Sequence, residues 1–359
     1  MVLTVVLPCY NEKENVDFLI KEFYEADINK QIKRIIFVDD DSPDNTSEHI
    51  KLNIYPLDVL CLRRIHRQGL SSAVIEGILL ADTKYIAVMD ADGQHAPKDL
   101  LSMLKICLNE NSQLVIGSRF KDLPQNPNHM GWRSRLSSLG NQVSSMLLKQ
   151  KLTDPLTGFF IIERSIFNQI APGLQGNGFK ILVDILFQLR QKKISIAEFQ
   201  IDFRNRIYGE SKLDINALTD FLDQIIGLFL GKLYPEKFLV FAIVGSLGVG
   251  VHFAVLSFLL FIFQSNFTFA QAIATLIAMI TNFSLNNLIT FRRNRLRGAQ
   301  WLKGLAYFIL FCSLGAIANI GMAGYIYAID KAWWISGLAG IAVGTAFNFM
   351  LSKYFVWKK

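Results

Sequence analysis

Four long apolar segments in the last third of the chain restrict its fold more than any other feature. They run over about residues 238–263, 267–290, 304–329 and 333–351. A bilayer core of ~30 Å is crossed by ~20 helical residues, so each segment is long enough, or nearly so, to span a membrane. The sequence therefore predicts an all-α membrane domain of four transmembrane helices. An apolar content of 51% with a mean hydropathy of +0.30 agrees with this and excludes a wholly soluble protein.

Basic residues are concentrated on one side of these segments. The other two loops between them are short and carry only Asp330 and Lys331. Because short cytosolic loops are enriched in lysine and arginine, this asymmetry predicts a multi-pass protein with both termini, and the N-terminal domain, in the cytosol. The basic residues lie in the second loop and the tail, and are Arg292, Arg293, Arg295, Arg297, Lys303, Lys353, Lys358 and Lys359.

The membrane part contains an internal repeat. Asn282-Phe283 and Phe291 recur as Asn348-Phe349 and Trp357, and Ser246-Leu-Gly248 recurs as Ser313-Leu-Gly315. Polar residues inside such spans indicate either a path for a lipid phosphate or hydrogen bonds between helices, and the second interpretation is favoured. These polar residues are His252, Asn282, Asn286 and Asn348.

The N-terminal part alternates β-rich runs with helical patterns over about 120 residues, which is typical of an α/β fold with a mostly parallel sheet. The predicted strands are residues 3–7, 34–38, 59–62, 85–89 and 114–116. Residues 217–230 then show helical amphipathic spacing, which fits an interfacial helix or a core-packed linker equally well. The predicted domains are therefore 1–212, a linker at 213–237, and the membrane domain at 238–359.

The strand at residues 85–89 stops abruptly at Asp90-Ala91-Asp92, followed by Gly93 and Gln94. In an open α/β sheet, ligands bind beyond the carboxyl ends of the strands. Two carboxylates and an amide oxygen are hard ligands that suit Mg²⁺ or Mn²⁺ holding a diphosphate. The alternative is that these residues only end a strand, since loops favour aspartate and glycine.

Two further loops carry charge at strand ends. Residues 39–44 form an acidic run, and Arg63, Arg64, His66 and Arg67 precede a helix that opens with Gly69-Leu-Ser-Ser. Small residues at a helix start beside basic groups can receive phosphate oxygens, although they also cap ordinary helices. The four cysteines are scattered without metal-site spacing, so they predict neither zinc nor a disulfide framework.

Together these motifs resemble the family 2 inverting glycosyltransferases with a GT-A (Rossmann-like) fold, and within them the dolichyl- or polyprenyl-phosphate mannose synthases. The resemblance covers about residues 1–215, while the membrane part resembles the GtrA-like four-helix domain. Gly93 departs from the pattern, because many relatives have a bulkier apolar residue there. The motifs are Leu3–Pro8 with Tyr10–Glu12, Val38–Asp44, Gly69–Val74, Asp90–His95, Gly117–Arg119, Asp154–Phe159, Gly178–Ile181 and Arg206–Lys212.

The resemblance implies roles on the donor side. A metal, Mg²⁺ or Mn²⁺, would be bound by Asp90, Asp92 and Gln94. The nucleotide would be held by Pro8, Tyr10, Glu12, Val38 and Asp40. The donor diphosphate would be surrounded by Asp90, Ala91, Asp92, Arg119, Arg206 and Lys212.

On the acceptor side the resemblance implies a phosphate site, and Arg133 and Ser137, four residues apart, would share one helix face. A lipid monophosphate is largely dianionic at neutral pH, so it needs no protein base, and Asp184 is expected to orient rather than to accept a proton. The acceptor residues are Arg119, Arg133, Ser137, Lys180 and Arg206, and the catalytic residues are Asp92, Arg119, Arg133 and Arg206.

The expected reaction is inverting transfer of a hexose, with mannose from GDP-mannose preferred, to a dolichyl or undecaprenyl monophosphate at the cytosolic membrane face. Glucose from UDP-glucose is the alternative donor, and lipid-sugar flipping by the membrane half is an alternative activity. A processive polysaccharide synthase is disfavoured because its Q-x-x-R-W signature is absent. The expected partners are the donor, the acceptor and membrane lipid, without nucleic acid, and a homo-oligomer stays open.

Overall fold

The computed structural model of the chain describes residues 1–27, 30–66, 69–121, 152–176, 180–204, 223–228, 234, 237–330 and 333–357. It consists of two compact units, Met1–Leu213 and Asp214–Lys359. The first is an α/β unit and the second is helical. Each unit is described here by itself.

The first unit alternates strands and helices, as the sequence predicts. Its strands are β1 (Leu3–Cys9), β2 (Ile32–Asp39), β3 (Val59–Arg63), β4 (Tyr85–Val88), β5 (Leu114–Ser118), β6 (Phe160–Glu163) and β7 (Ile196–Gln200). Its helices are α1 (Lys13–Ala26), α2 (Thr46–Leu52), α3 (Leu70–Leu80), α4 (Pro97–Asn109), α5 (Arg164–Ile170) and α6 (Ile181–Leu189), and a 3₁₀ turn covers Ala171–Gly173.

The described strands form one sheet in the order β3-β2-β1-β4-β6-β5-β7. All of them run parallel except β6, which lies antiparallel between β4 and β5. The first residue of β6, Phe160, pairs with Val88 near the end of β4 and with Ile116 near the end of β5. The chain segment that leads into β6 therefore lies at the edge where the parallel strands finish.

Helices cover both faces of the sheet, which explains why its central strands are continuous apolar runs rather than alternating ones. On one face, Leu3 and Val5 of β1 share a core with Val16 of α1 and Leu100 of α4. On the other face α3 approaches closely, because a side chain at Gly77 would clash with Val6 and Val38. All seven residues of β1 are buried.

The second unit is dominated by α7 (Phe238–Phe261), α8 (Phe267–Leu288), α9 (Ala299–Asp330) and α10 (Trp333–Leu351). Three stretches are long and apolar enough to cross a membrane: Phe238–Phe261, Phe269–Leu288 and Ala299–Asn319. Helix α10 occupies the fourth apolar segment but is not among these three, which were sought in the described residues alone. The four-span topology therefore stays a prediction.

The two internal repeats contact each other through equivalent aromatic residues. Phe291 and Trp357 stack with their ring centroids 4.3 Å apart and their planes 10° apart. Phe283 stacks on Trp357 at 5.2 Å, and its counterpart Phe349 stacks on Phe291 at 6.2 Å. These reciprocal contacts are those of a pseudo-twofold arrangement, with the aromatic cluster at its centre.

The asparagines inside the helices take part in packing. In each repeat an asparagine amide lies directly against a glycine of the preceding helix, Asn282 against Gly248 and Asn348 against Gly315, where any added side chain would clash. Asn286 Nδ2 donates to the Asn282 carbonyl at 2.9 Å. Asn282 and Asn348 thus take part in helix packing, but the Asn286 bond lies within α8, and neither Asn282 Oδ1 nor Asn348 Oδ1 has a hydrogen-bond partner among the described residues. The predicted hydrogen bonds between helices therefore stay a prediction.

The predicted linker helix falls mostly outside the described residues, of which 223–228 are helical. Asp223 is 8% exposed and accepts hydrogen bonds from the Tyr234 hydroxyl at 2.5 Å and from Leu239 N at 3.2 Å. Its carboxylate therefore satisfies an N–H group at the beginning of α7, where helical N–H groups have no intrahelical partner.

Candidate active site

The candidate site lies where the parallel strands end. Tyr10 follows β1, Asp40 follows β2, Asp90 follows β4 by one residue, and Arg119 follows β5. Because parallel strands finish at one edge, the fold brings these side chains to the same side of the sheet. Because β6 is antiparallel, the segment that precedes it, which includes Asp154, reaches the same edge of the sheet from the opposite direction.

Asp90, Asp92 and Gln94 form a short loop immediately after β4. Asp90 is half-buried, and Asp92 is 6% exposed and accepts a hydrogen bond from Gln94 N at 3.1 Å. Gln94 Nε2 donates to the Arg204 carbonyl at 3.2 Å. This bond fixes the amide orientation, and the amide oxygen is the atom of Gln94 that a hard cation would bind.

These residues fit a hard divalent cation. A β-carbon at Gly158 would lie 2.9 Å from Asp90 Oδ1, so only glycine leaves the carboxylate its present room. The described part of the chain contains no group of three or more His, Cys, Asp or Glu residues that could hold a metal. A cation at Asp90, Asp92 and Gln94 would complete its shell with waters and substrate phosphates, which is the usual coordination of Mg²⁺.

His95 lies directly after these residues and is 3% exposed. Its ring stacks on Phe159 with centroids 4.7 Å apart, and Phe203 meets it edge-on at 5.4 Å. Burial lowers the pKa of the imidazole to about 4, although the nearby Asp92 charge opposes this shift. His95 is thus neutral at pH 7, and it anchors the acidic loop to the apolar core through its stacked ring.

Arg119 is held by a buried carboxylate. Its Nε donates to Asp154 Oδ2 at 2.7 Å and its Nη2 donates to Asp154 Oδ1 at 3.0 Å, while its backbone N–H also donates to Oδ2 at 3.2 Å. Asp154 is 0% exposed, and Arg119 keeps 27% of its side chain exposed. This two-pronged pairing fixes the plane of the guanidinium and leaves part of it accessible to a ligand.

Lys180 is the second cation of the site that the structure describes. Its Nζ donates to the Leu156 carbonyl at 2.9 Å. Burial lowers the pKa of the ammonium, whereas the charge of Asp90 opposes this shift and the charge of Arg119 adds to it. Asp90, Arg119 and Lys180 therefore interact electrostatically at one edge of the sheet.

The acidic loop after β2 has an internal partner. Asp40 Oδ2 accepts a hydrogen bond from Gly69 N at 2.6 Å, and Arg64 Nε forms an ion pair with Asp40 Oδ1 at 2.9 Å. Arg64 is 3% exposed and both of its terminal nitrogens donate to the Ser72 hydroxyl at 3.0 Å. Burial raises the pKa of Asp40, and Gly69 N and Arg64 oppose the rise. Asp40 thus connects the acidic loop to the beginning of α3.

The other predicted nucleotide residues lie near one another. Pro8 and Val38 are register partners on neighbouring strands. Glu12 N donates to the Thr46 hydroxyl at 3.2 Å, which joins the loop after β1 to the beginning of α2. Val38 is 0% exposed, so its predicted contact with a nucleotide requires neighbouring side chains to move. Tyr10 is half-buried beside them at the end of β1.

Four predicted site residues lie outside the described part of the chain, and their roles stay predictions. They are Arg133, Ser137, Arg206 and Lys212. Arg204, two residues before Arg206, donates its N–H to the Gln94 carbonyl at 3.0 Å. The last described residue before this gap, Arg204, therefore contacts the loop that carries the predicted metal ligands.

Asp184 occupies the beginning of α6 and is 1% exposed. Its Oδ2 accepts hydrogen bonds from Gln175 N at 2.8 Å and Gly176 N at 3.3 Å. Burial raises the pKa of this carboxyl, and the two N–H donors partly counteract the rise. The carboxylate thus orients the loop before Lys180, as expected for a structural residue.

The sequence alone assigned no individual role to three residues that the structure places at the site. Asp154 and His95 stand inside motifs that resemble the family, but the motif does not state which residue each contacts. Arg64 belongs to a basic run in which exposed and buried members are indistinguishable. The nearest sequence signal for Asp154 is its place four residues before Gly158, the glycine that accommodates Asp90.

Comparison with known families accounts for both units. Residues 4–171 match Glycosyl transferase family 2, and residues 240–357 match the GtrA/DPMS transmembrane domain. The second match and the three apolar helices make this a membrane protein. The structure of glucosyl-3-phosphoglycerate synthase from Mycobacterium tuberculosis is 17% identical, covers 64% of this chain and 78% of that chain, and gives a TM-score of 0.48.

Two curated relatives are similar over much more of their length. Dolichol-phosphate mannosyltransferase of Pyrococcus furiosus is 30% identical over 99% of this chain and 99% of its own. The enzyme of the same name from Saccharomyces cerevisiae is 28% identical over 66% of this chain and 91% of its own. The chain therefore belongs to the glycosyl transferase family 2 enzymes that carry a GtrA/DPMS transmembrane domain, the family of the dolichol-phosphate mannosyltransferases.

Proposed function

We propose that the chain transfers mannose from GDP-mannose to a polyprenyl monophosphate, dolichyl or undecaprenyl, with inversion at the anomeric carbon. One observation carries the proposal: the acidic loop at Asp90–Gln94 and the Asp154-held guanidinium of Arg119 meet at one edge of the sheet. The leaving diphosphate and the attacking phosphate are both anions. Carboxylates would bind the first through a divalent cation and a guanidinium would bind the second directly, and this edge offers both groups. The similarity to named mannosyltransferases over the full chain supports the choice of sugar.

On the donor side, Asp90, Asp92 and Gln94 would hold Mg²⁺ or Mn²⁺. When bound, this cation stabilises the negative charge that develops on the nucleotide diphosphate as it leaves. The loops after β1 and β2 would hold the nucleotide through Pro8, Tyr10, Glu12, Val38 and Asp40. Arg119, Arg206 and Lys212 would add positive charge around the diphosphate.

On the acceptor side, Arg119, Arg133, Ser137, Lys180 and Arg206 would bind the phosphate of the lipid. Because this phosphate is already charged at neutral pH, its oxygen attacks the anomeric carbon without losing a proton to the protein. One carbon–oxygen bond forms while the bond to the nucleotide diphosphate breaks on the opposite face, which turns an α-linked donor into a β-linked lipid sugar. The protein then contributes position and charge neutralisation rather than a base.

The membrane unit would place this reaction at the cytosolic face. The loop between α8 and α9 is rich in arginine, and the chain end beyond α10 is rich in lysine. By the positive-inside rule these segments, both termini and the α/β unit would share the cytosolic side. Nucleotide sugars are then available to the α/β unit directly.

The decisive experiment is transfer by the purified full-length protein in detergent. Labelled GDP-mannose and UDP-glucose would each be incubated with polyprenyl phosphate and Mg²⁺, and the lipid product would be separated and its anomeric linkage determined. We expect a β-linked mannosyl lipid from GDP-mannose. Glucosyl lipid alone would overturn the choice of donor, and lipid-sugar movement across vesicles without any transfer would overturn the proposed activity.

A second experiment separates the two halves of the site. Asp92→Ala and Arg133→Ala should both abolish transfer, but only Asp92→Ala should weaken metal-dependent nucleotide binding. Asp82→Ala is the matched control, because Asp82 is an exposed carboxylate that precedes β4 and thus lies at the opposite end of that strand. Equal loss of nucleotide binding in the first two variants would contradict the division of roles.

A further inference from the structure

A pocket of about 330 Å³ opens on the membrane unit where α8 ends and α9 begins. Two arginines, Arg295 and Arg297, line it together with Ser284 of α8 and Trp301 of α9. None of these residues belongs to the candidate active site, which lies entirely in the first unit. The residues that line the pocket therefore have no part in the candidate active site, and they give the pocket a positive charge and one aromatic wall.

The loop that carries the two arginines has a fixed shape. Asn287, 2% exposed, accepts a hydrogen bond from Leu296 N at 2.8 Å and donates to the Leu296 carbonyl at 3.1 Å. The Trp357 indole N–H donates to the same Asn287 oxygen at 2.9 Å. Because Leu296 stands between Arg295 and Arg297, this anchoring fixes the backbone from which both guanidiniums project.

No described carboxylate forms an ion pair with the arginines of the pocket. Between Phe238 and Trp357 the only acidic residue is Asp330, which ends α9 at the far end from the pocket. Arg295 and Arg297 are exposed, and among the described residues neither forms an ion pair. Two adjacent, exposed positive charges without an ion-pair partner among the described residues attract an anion.

The surroundings of the pocket indicate where this anion comes from. Leu288 at the end of α8 and Leu302 in the first turn of α9 are 46% and 65% exposed, and both helices contain candidate membrane spans. Trp301 stands beside them, and tryptophan is enriched at the depth of lipid headgroups. A ligand with a phosphate and adjoining hydrocarbon matches this combination better than a free phosphate does.

We propose that Arg295 and Arg297 bind the phosphate of an anionic membrane phospholipid, with its acyl chains against the exposed leucines of α8 and α9. Basic pockets between membrane helices hold lipid headgroups in this way, and arginine binds phosphate oxygens with two N–H groups at once. Anionic phospholipids are far more abundant in a bilayer than a polyprenyl phosphate substrate, so mass action favours them as occupants of the pocket. The two arginines favour them over zwitterionic lipids, because a zwitterionic headgroup carries no net charge. The site does not depend on the proposed sugar transfer.

The test counts lipids retained by the full-length protein in neutral detergent, by native mass spectrometry during titration with phosphatidylglycerol. The wild type should retain at least one molecule, and Arg295→Gln/Arg297→Gln should bind it about tenfold more weakly or worse. The matched control is Arg292→Gln/Lys303→Gln, which removes the same charge from the same basic run outside the pocket. It should stay within about twofold of the wild type, because exposed charges that do not contact the bound phosphate are screened by salt.

Thermal unfolding without lipid shows whether each pair of substitutions leaves the fold intact; both pairs change exposed side chains and should unfold like the wild type. Equal weakening by the two pairs would overturn the proposal, because it would show diffuse attraction to the basic loop. Equal retention of phosphatidylcholine or inorganic phosphate would also overturn it. Selective retention of polyprenyl phosphate over phosphatidylglycerol would reject the phospholipid as occupant.

Discussion

Replacing Asp154 with asparagine tests how the Arg119 guanidinium is held. Asp154 is 0% exposed and accepts three hydrogen bonds from Arg119, whose side chain is 27% exposed. Breaking a fully buried ion pair by removing one partner costs ~3–5 kcal/mol of unfolding free energy. Asparagine keeps one acceptor oxygen and water reaches Arg119, so we expect a smaller loss of about 2 kcal/mol.

The same change should weaken use of the lipid acceptor. A guanidinium without its two-pronged partner no longer holds one orientation, and one charge-assisted hydrogen bond is worth ~1.5–3 kcal/mol. We therefore expect kcat/KM for polyprenyl phosphate to fall about 10- to 100-fold. Metal-dependent nucleotide binding should weaken less, because the predicted metal ligands remain even though Arg119 also has a predicted contact with the donor diphosphate. Initial rates at varied acceptor concentration and calorimetric nucleotide titration measure the two effects separately.

Two comparisons make the reasoning refutable. Asp82→Asn makes the same chemical change in an exposed ion pair with Lys33 and should alter the unfolding free energy by less than ~0.5 kcal/mol. If Asp154 acts through Arg119, the effects of Asp154→Asn and Arg119→Lys on acceptor kinetics should not add in the double variant. Additive effects, or unchanged acceptor kinetics in a folded Asp154→Asn protein, would refute the positioning role.

Three other substitutions test separate parts of the structure. Gly158→Ala should reduce transfer about a hundredfold, since its β-carbon would lie 2.9 Å from Asp90 Oδ1, and unchanged metal-dependent rates would contradict this. Burial raises the pKa of Asp184 above 3.8, so the stability linked to its protonation is complete below pH 3.8 and is lost as pH rises through the folded pKa. Asp184→Asn should thus raise the unfolding temperature relative to the wild type more at pH 7 than at pH 4, and a larger gain at pH 4 would be contrary to it. Asn287→Ala removes the bonds to Leu296 and Trp357 and should lower the unfolding free energy of the protein in detergent by about 1–3 kcal/mol, whereas an unchanged thermal transition would count against this anchoring.

The strand ends at the site could be predicted from the sequence because each buried parallel strand is an apolar run that stops at polar residues. Asp90 and Asp40 were located in this way. Strand β6 was not predicted, and neither was β7. The insertion of β6 between β4 and β5 depends on packing between residues more than 40 positions apart, which no local pattern records.

The sequence also did not predict which charged side chains pair with each other. Arg63 and Arg64 are neighbours at the end of β3, yet Arg63 is exposed beside Asp41 whereas Arg64 is buried against Asp40. Neighbouring side chains at a strand end point in opposite directions, so burial depends on what packs over each side chain rather than on residue type. In the membrane unit the repeat was visible in the sequence, but the stacking of Phe291 on Trp357 required the fold.

The direction of β6 has a consequence for the segment that joins it to β5. The chain leaves the sheet at Arg119 and returns at Asp154, and the two residues are bonded to each other, as are Ser118 and Thr153 at 2.6 Å. The two ends of the intervening segment are therefore held together by hydrogen bonds. A change of length between residues 119 and 154 therefore need not move β5 or β6, because the entropy of closing a loop grows only slowly with its length.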